Sequence, residues 1–283
     1  MTLPNVLVIG SMKSGSSSVC RFLELHPSVF MVERLDPEFF SDDKVWARGL
    51  DWYESLFAGS EQFRWRAEGS NSYTMIDRHP DTLDRIESTL GAVKLIYLVR
   101  DPVQRIMSAW IQRRVDSPDI TDHDPNKAIW NDPDFFIDAS LFWKHISLYQ
   151  SRFGAENLWV GCMEDMQREP EQFFASLCRF LDIEVPQSDD AVNLHLNKSE
   201  SKKIPNATYS LIRSLPGFTW LRHLVPSGVR SNLRRNYFVR SKAERPQFSE
   251  ATLTRLHEII RPDAERTLAL LGKEPSFWSL RLG

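Results

Sequence analysis

Continuous apolar runs alternate with amphipathic stretches along this chain. Buried strands are predicted at 6–9, 95–99 and 158–161, because each run is apolar and ends at polar or turn residues. A further strand is predicted at 64–68. Apolar residues at helical spacing predict helices at 49–57, 82–90, 140–149, 169–181 and 249–271. The polar, proline-containing stretch at 115–132 is predicted to be a long loop. Strands that alternate with helices predict an α/β fold around a parallel sheet.

A Gly- and Ser-rich turn joins the first strand to a helical pattern that includes Val19 and Phe22. Gly10 and Gly15 let the backbone approach an anion, and a helix N-terminus adds about half a positive charge. The turn is not a Walker A loop, because its lysine lies between the glycines with no Gly before it. An ordinary turn with a serine N-cap at Ser16 is the alternative. The predicted phosphate-binding residues are Lys13, Ser14, Gly15, Ser16, Ser17 and Ser18.

A second segment places an arginine where another predicted strand ends. Arg100 follows the strand at 95–99, and Ser108 lies on the helix predicted after it. Ligands of open α/β sheets bind beyond the carboxyl ends of the strands, so Arg100 and the turn at 10–15 are expected at one site. One ligand with two separate phosphate-type anions would explain both segments. A surface ion pair between Arg100 and Asp101 is the alternative.

Together the two segments resemble the cofactor signatures of PAPS-dependent sulfotransferases, where PAPS is 3′-phosphoadenosine 5′-phosphosulfate. The turn is similar to the loop that holds the 5′-phosphosulfate, and Arg-Asp-Pro at 100–102, then Arg105, then Ser108, resembles the element that holds the 3′-phosphate. The similarity extends from about residue 4 to about residue 203 and is greatest to the bacterial and Golgi-type carbohydrate enzymes.

The resemblance implies a P-loop-like three-layer fold with a central parallel sheet flanked by helices. It also implies in-line transfer of the sulfuryl group from PAPS to a hydroxyl or amine of a small-molecule or carbohydrate acceptor. The product is then 3′-phosphoadenosine 5′-phosphate (PAP), and no metal is expected.

The resemblance further implies a carboxylate base ahead of an aromatic pair. Golgi-type members carry Glu, two residues and then two aromatics, so setting the pair on 39–40 places Asp36 at the base position. Glu38 falls where some members have a second polar catalytic residue, and Glu33 is a third candidate if the loop is shifted. The base must lie within hydrogen-bond reach of the acceptor. Lys13, Asp36 and Glu38 are the predicted catalytic residues, with solvated loop carboxylates as the alternative.

Two stretches depart from the family pattern. Gly69 stands where Golgi-type members have a lysine that helps to bind the sulfuryl group, so either the lysine of the turn carries more of this role or another cation enters. This departure weakens the case for a polyanionic glycan as acceptor. The stretch at 194–203 resembles a lid loop over PAPS. Lys202 is predicted to bind the cofactor there, with Lys198 and Lys203 as alternatives.

Composition narrows the class of protein. The chain has 283 residues, 42% of them hydrophobic and 26% charged, which is ordinary for a globular protein. A net charge of −3 provides no field to recruit nucleic acid or a membrane, so neither partner is expected. Three scattered cysteines argue against a disulfide framework or a structural zinc site. The sparse cysteines and the lack of a signal-like or membrane-spanning apolar run predict a cytoplasmic location. We also expect a monomer or weak homodimer.

We predict one sulfotransferase domain over 1–283. Its cofactor-binding core is expected at 1–203, and a helical, basic extension at 204–283 is expected to pack on that core. The amino-acid sequence is also compatible with two other functions. A nucleotide kinase-like phosphotransferase would need a Mg²⁺-holding Ser or Thr after a Gly-Lys pair, which the turn lacks. The other is a protein of this fold that binds the nucleotide without turnover.

Overall fold

A parallel sheet forms the centre of the molecule. The computed structural model describes residues 2–32, 36–116, 122–186, 203–205, 239–242 and 246–278. The strands of the sheet are β1 (Val6–Gly10), β2 (Val29–Met31), β3 (Trp65–Gly69), β4 (Lys94–Val99) and β5 (Leu158–Cys162). They lie in the order β2-β3-β1-β4-β5, and every neighbouring pair is parallel. The predicted α/β class is confirmed.

Strand β1 occupies the middle of the sheet because its side chains are apolar on both faces. Val6 and Val8 pack in the core on one side, whereas Leu7 and Ile9 pack in the core on the other side. A continuous apolar run is what a parallel strand covered by helices on both faces requires. The Gly- and Ser-rich turn therefore lies at the carboxyl end of the central strand of the sheet.

Helices cover both faces of the sheet. They are α1 (Ser16–Leu25), α2 (Asp43–Trp46), α3 (Leu50–Ser55), α4 (Thr82–Leu90), α5 (Pro102–Asp116), α6 (Pro125–Asn131), α7 (Pro133–Phe136), α8 (Phe142–Phe153), α9 (Met163–Arg168), α10 (Pro170–Leu181) and α11 (Glu250–Leu270). Short 3₁₀ turns lie at Asn71–Thr74, Asp138–Ser140 and Ala155–Asn157. Within the described ranges, no helix is both long enough and apolar enough to cross a bilayer.

The long loop predicted at 115–132 is wrong in part. Helix α5 continues to Asp116, and α6 begins at Pro125. The carboxylate of Asp124 accepts a hydrogen bond from the N–H of Asn126, and Pro125 takes the first helical position. Asp followed by Pro is a helix-start signal as well as a turn signal, and here it starts a helix.

The C-terminal helix is anchored to the core by a carboxylate. Asp263 of α11 accepts hydrogen bonds from the backbone N–H groups of Trp143 and Lys144, at 2.9 and 2.8 Å, at the start of α8. Ser249 caps α11 itself by accepting from the N–H of Thr252. Of the stretch at 204–245, the structure describes β7 (Val239–Lys242) and most of its antiparallel partner β6 (Lys203–Pro205).

Candidate functional site

The turn after β1 is a cradle of backbone N–H groups at the start of α1. Gly15 is the N-cap of α1 and has a left-handed φ of 97°. A Cβ at this position would lie 2.6 Å from the Cε of Met166, so only glycine fits without a shift. The alternative of Ser16 as the N-cap is wrong, because Ser16 is already the first helical residue. The first N–H groups of α1 point out of the helix end, where an anion is favoured.

Lys13 lies beside this cradle in a strained conformation. Its φ is 74°, and its ammonium group donates to the Oε1 of Gln112 at 3.4 Å. Ser14 is fully buried, and its Oγ lies 2.6 Å from the Oγ of Ser11. The Ser14 hydroxyl thus stabilises the turn through its contact with Ser11. Lys13 is half-buried at the rim of the cradle.

The three serines at the start of α1 point in different directions. Ser16 is buried and donates its hydroxyl to the Oδ1 of Asn71 at 2.9 Å. Ser17 is exposed and Ser18 is half-buried. Ser17 and Ser18 are therefore at least partly accessible to solvent, whereas Ser16 connects the cradle to the segment after β3.

The two segments singled out in the sequence lie side by side. Arg100 donates from Nη1 to the carbonyl of Lys13 at 3.1 Å, and the buried Arg105 donates from Nε to the carbonyl of Met12 at 3.1 Å. Ser108 is buried, at 5% exposure, on the same helix. Arg100 is half-buried, so its guanidinium lies at the rim of the cradle at the carboxyl end of β4.

The residue after Arg100 has a structural role. The carboxylate of Asp101 accepts from the N–H of Gln104 at 2.9 Å and so caps α5. Burial raises the pKa of Asp101 above its usual range, and the charge of Glu164 acts in the same direction.

The candidate base Asp36 is exposed and tied to the cradle through one amide. Asp36 donates its N–H to the carbonyl of Gly69 at 2.8 Å. Its Oδ1 accepts from the N–H and the Nδ2 of Asn71, at 2.9 and 3.0 Å. Asn71 in turn accepts from the Oγ of Ser16. The side-chain amide of Asn71 thus connects the cradle to the predicted base.

Glu38 lies next to Asp36 and is half-buried. Burial raises the pKa of Glu38, and the charge of Asp36 raises it further, while a hydrogen bond from Ser72 acts in the opposite direction. The N–H of Glu38 donates to the Oγ of Ser70 at 2.9 Å. The third candidate base, Glu33, lies outside the described residues.

Backbone strain is concentrated at the predicted catalytic residues. Four non-glycine residues in the described part of the chain have a left-handed φ, and three of them are Lys13, Asp36 and Glu38, at 74°, 54° and 58°. Such conformations cost about 1–3 kcal/mol each and persist where surrounding contacts enforce them, often at functional sites.

The missing lysine at Gly69 has a packing explanation. A Cβ on Gly69 would lie 2.8 Å from the Sγ of Cys20 and 3.5 Å from the Cβ of Val8. Cys20 is buried on α1, and burial holds the pKa of its thiol well above the usual range. A thiol therefore occupies the space that the first carbon of a larger residue would need.

The lid lysines are not placed by the structure. Lys202 and Lys198 lie outside the described residues, and Lys203 begins β6, in which only the backbone pairing is described.

A buried carboxylate that was not predicted from the sequence lies behind the site. Glu68 is the penultimate residue of β3 and is 0% exposed. It accepts hydrogen bonds from the hydroxyls of Tyr53, Tyr73 and Ser70, at 3.1, 2.6 and 2.9 Å. Burial raises the pKa of Glu68 to about 7, against the three hydrogen bonds, which lower it. An acidic residue at the end of a predicted strand was the available signal. Asn71 was missed as well, because nothing in its sequence context indicates two partners.

A family model for the sulfotransferase domain matches residues 3–270. Heparan sulfate glucosamine 3-O-sulfotransferase 5 of Mus musculus is 24% identical over 204 residues, which are 69% of this chain and 57% of the relative. Membrane-associated sulfotransferase kil1 of Dictyostelium discoideum is 32% identical over 127 residues, which are 42% of this chain and 26% of the relative. The chain thus spans a quarter to somewhat more than half of the length of these relatives.

Solved structures agree with the architecture. A sulfotransferase from Alicyclobacillus acidocaldarius superposes with a TM-score of 0.66 at 20% identity, covering 98% of this chain and 99% of that one. Mouse sulfotransferase SULT7A1, solved in complex with PAP, superposes with a TM-score of 0.50 at 14% identity, covering 95% of this chain and 88% of that one. At these identities the likeness concerns the fold, and the predicted P-loop-like three-layer fold is confirmed.

Fold, family model and the two cofactor-type segments agree, and the family implied by those segments is confirmed: the chain belongs to the sulfotransferase domain family.

Proposed function

We propose that this protein transfers the sulfuryl group of PAPS to a hydroxyl or amine of a small-molecule or carbohydrate acceptor by in-line displacement. The observation that carries the proposal is the chain of contacts from Ser16 through Asn71 to Asp36. It brings a carboxylate to the edge of a phosphate cradle, which is the arrangement that base-assisted transfer from a bound nucleotide needs. Membership of the sulfotransferase family favours this activity over a kinase-like phosphotransferase.

The residues present fit PAPS and its product PAP. Gly15 leaves the cradle open where a Cβ would collide with Met166, and Arg100 sits at the rim of the same cradle. An arginine fork suits a phosphate, and the start of α1 suits a second anion. Ser17 and Ser18 would bind the 5′ end with Lys13, whereas Arg100 and Ser108 would hold the 3′-phosphate. PAPS supplies an activated sulfuryl group with a phosphate as leaving group.

The side chains divide the chemical work. Asp36 accepts the proton of the acceptor as the acceptor's oxygen or nitrogen forms its bond to sulfur. The bond from sulfur to the bridging oxygen breaks, and its electron pair stays on the phosphate of PAP. Lys13 and the N–H groups of α1 stabilise that developing charge, a contribution worth about 100- to 1000-fold in rate for one well-aimed donor. Binding of the remote 3′-phosphate by Arg100 helps to hold the sulfuryl group in line.

We further propose that the acceptor is neutral or amine-bearing and not a polyanionic glycan. Burial raises the pKa of Glu38 most, and the charges of Asp36 and Asp42 raise it further, so three carboxylates share this wall of the site. Cys20 fills the space beside Gly69 that a lysine would need. An acidic wall without that cation repels a polyanion and attracts an amine.

The remaining organisation is proposed on physical grounds. One domain over 1–283 is supported by the anchoring of α11 to α8 through Asp263, with the division at 203 and 204 still a prediction. A cytoplasmic location is supported by the three cysteines, which are all free and buried. A monomer or weak homodimer, and the absence of nucleic-acid and membrane partners, also stay predictions.

Calorimetry with PAP and AMP tests whether the protein binds both the 5′ and the 3′ end of the nucleotide. The wild type is expected to bind PAP at least about tenfold more tightly than AMP, because AMP lacks the 3′-phosphate and a charge-assisted hydrogen bond contributes about 1.5–3 kcal/mol. Arg100→Ala should remove most of this difference, with Ser108 still able to contact the 3′-phosphate. Arg152→Ala is the control, because Arg152 pairs with Glu87 and Asp84 away from the cradle. Equal affinities of the wild type for PAP and AMP would refute the proposal.

A transfer screen then tests the acceptor class. The protein is incubated with sulfur-labelled PAPS and separate pools of neutral sugars, amine metabolites and sulfated glycans. Label should enter the first or second pool. Transfer confined to the sulfated glycans would contradict the acidic-wall argument, while binding of PAP without transfer to any pool would favour a protein that only binds the nucleotide.

A further inference from the structure

The buried carboxylate of Glu68 organises the hydroxyl groups around it. Tyr53 and Tyr73 both donate to its Oε1, and Ser70 donates to its Oε2. A hydroxyl has a single proton. Because each of these three hydroxyls donates its proton to Glu68, it can only accept hydrogen bonds from other groups.

Two of those lone pairs face the loop that carries the candidate base. The Oγ of Ser70 accepts from the N–H of Glu38 at 2.9 Å, and the hydroxyl of Tyr73 accepts from the N–H of Phe40 at 3.5 Å. The path from Glu68 to each of these amides therefore runs through one hydroxyl whose direction the carboxylate fixes. If Glu68 were to donate instead, one of its three hydroxyl partners would have to turn, and a turn of Ser70 or Tyr73 would compete with a loop amide.

The loop needs such support because its backbone is strained. Asp36 and Glu38 both have a left-handed φ, and Asp36 is exposed, so burial of its own side chain does not hold it in place. The amides of Glu38 and Phe40 directly follow the buried residues Pro37 and Phe39. Bonds at these two amides fix the turn that presents Asp36 and Glu38.

We propose that Glu68 is a positioning residue for acceptor chemistry: through the hydroxyls of Ser70 and Tyr73 it holds the 36–40 loop, and with it the carboxylates of Asp36 and Glu38, in the geometry for transfer. The role in transfer rests on the proposed function, whereas the hold on the loop does not.

The state of Glu68 should then govern the loop. Its ionised form accepts all three hydrogen bonds, and its pKa of about 7 places the change of state near neutral pH. The other titratable groups that act on it are Asp36, Tyr53, Tyr73 and Cys20. Burial raises the pKa values of the two tyrosines and of the thiol, so these three groups stay protonated across that range.

Hydrogen exchange of the full chain without ligand tests the hold directly. Protection factors of the peptide at 36–42 are measured at about pH 8 and about pH 6, each corrected for intrinsic exchange. A pKa of about 7 means that roughly nine-tenths of Glu68 is ionised at the higher pH and one-tenth at the lower. The wild type should therefore lose up to about tenfold of its protection in this peptide on acidification. Glu68→Gln should show the low protection at both values.

Tyr97→Phe is the matched control. Tyr97 lies on β4, and its buried hydroxyl is 3.1 Å from the Nδ1 of His145. The substitution therefore weakens the core but leaves the relay, meaning the hydroxyls of Ser70 and Tyr73 that connect Glu68 to the loop, unchanged. It should leave the exchange at 36–42 and its pH dependence unchanged. Wild-type protection in Glu68→Gln at about pH 8 would overturn the proposal.

Ser70→Ala tests the relay if Glu68→Gln does not fold. It removes the connection from Glu68 to the N–H of Glu38 and should raise exchange at 36–42, and unchanged exchange would overturn the proposal. Calorimetry with PAP on the same samples separates this result from the proposed function. A wild type that fails to bind PAP would refute the sulfotransferase proposal and leave the exchange result standing.

Discussion

Replacement of Glu68 by Gln should change how the stability of the fold depends on pH. The pKa of Glu68 rises from the usual 4.5 to about 7 in the folded protein, mainly because the carboxyl is buried. A difference of roughly 2.5 pH units, at about 1.4 kcal/mol per unit, corresponds to about 3 kcal/mol. The folded state binds the proton more tightly than the unfolded state. Stability from this group is therefore present in full below pH 4.5, falls as the pH rises towards 7, and is constant above that.

Urea unfolding of the wild type and Glu68→Gln measures this effect. The free energy of unfolding of each protein is determined at about pH 4.5, 6, 7 and 8. The difference, wild type minus variant, should fall by about 3 kcal/mol from the lowest pH to the highest, because the amide does not titrate. Glu258→Gln, which removes an exposed carboxylate on α11, is the control for loss of one acidic group.

A difference that stays constant across this range would refute the reasoning, since it would mean that Glu68 is as easily ionised inside the protein as outside. The expected result also has a functional meaning. The ionised form, which organises the hydroxyls of Ser70 and Tyr73, is the form that costs stability. A cost of this kind at a functional site is common, because the arrangement that serves activity is seldom the most stable one.

Two further changes test the cradle and the C-terminal anchor. Lys13→Ala should lower sulfate transfer from labelled PAPS about 100- to 1000-fold, because it removes the charge over the bridging oxygen; retention of most activity, with Arg152→Ala as control, would contradict the mechanism. Asp263→Ala should lower the free energy of unfolding in urea by about 1–2 kcal/mol, because two N–H groups at the start of α8 lose their acceptor. An unchanged urea midpoint would mean that α11 is held by packing alone.

Much of the fold followed from local pattern. The strands at 95–99 and 158–161 and the helix at 82–90 agree with β4, β5 and α4 to within one residue at each end. A continuous apolar run predicts a buried parallel strand without any knowledge of which strands lie beside it in the sheet. The error at 115–132 came from a local signal with two meanings, since Asp124 before Pro125 serves a turn and a helix start equally well.

The part of the candidate site that could be predicted is the part positioned by the parallel sheet. Arg100 and Lys13 were expected together because both follow parallel strands, and a hydrogen bond joins them. Their roles in binding and catalysis stay predictions. The relation of Asp36 to the cradle was not predictable, because it depends on Asn71, which lies in a 3₁₀ turn between the two.

Most of the elements, the parallel sheet and the family could be predicted from the amino-acid sequence, because they depend on apolar periodicity and on motifs within a few residues of each other. Only the three-dimensional packing shows which hydroxyls donate to Glu68, that Cys20 occupies the space beside Gly69, and that Ser70 accepts from the N–H of Glu38. Those contacts join residues up to about fifty positions apart, and their chemistry comes from burial, which raises the pKa of a carboxyl and leaves a hydroxyl only one direction in which to donate.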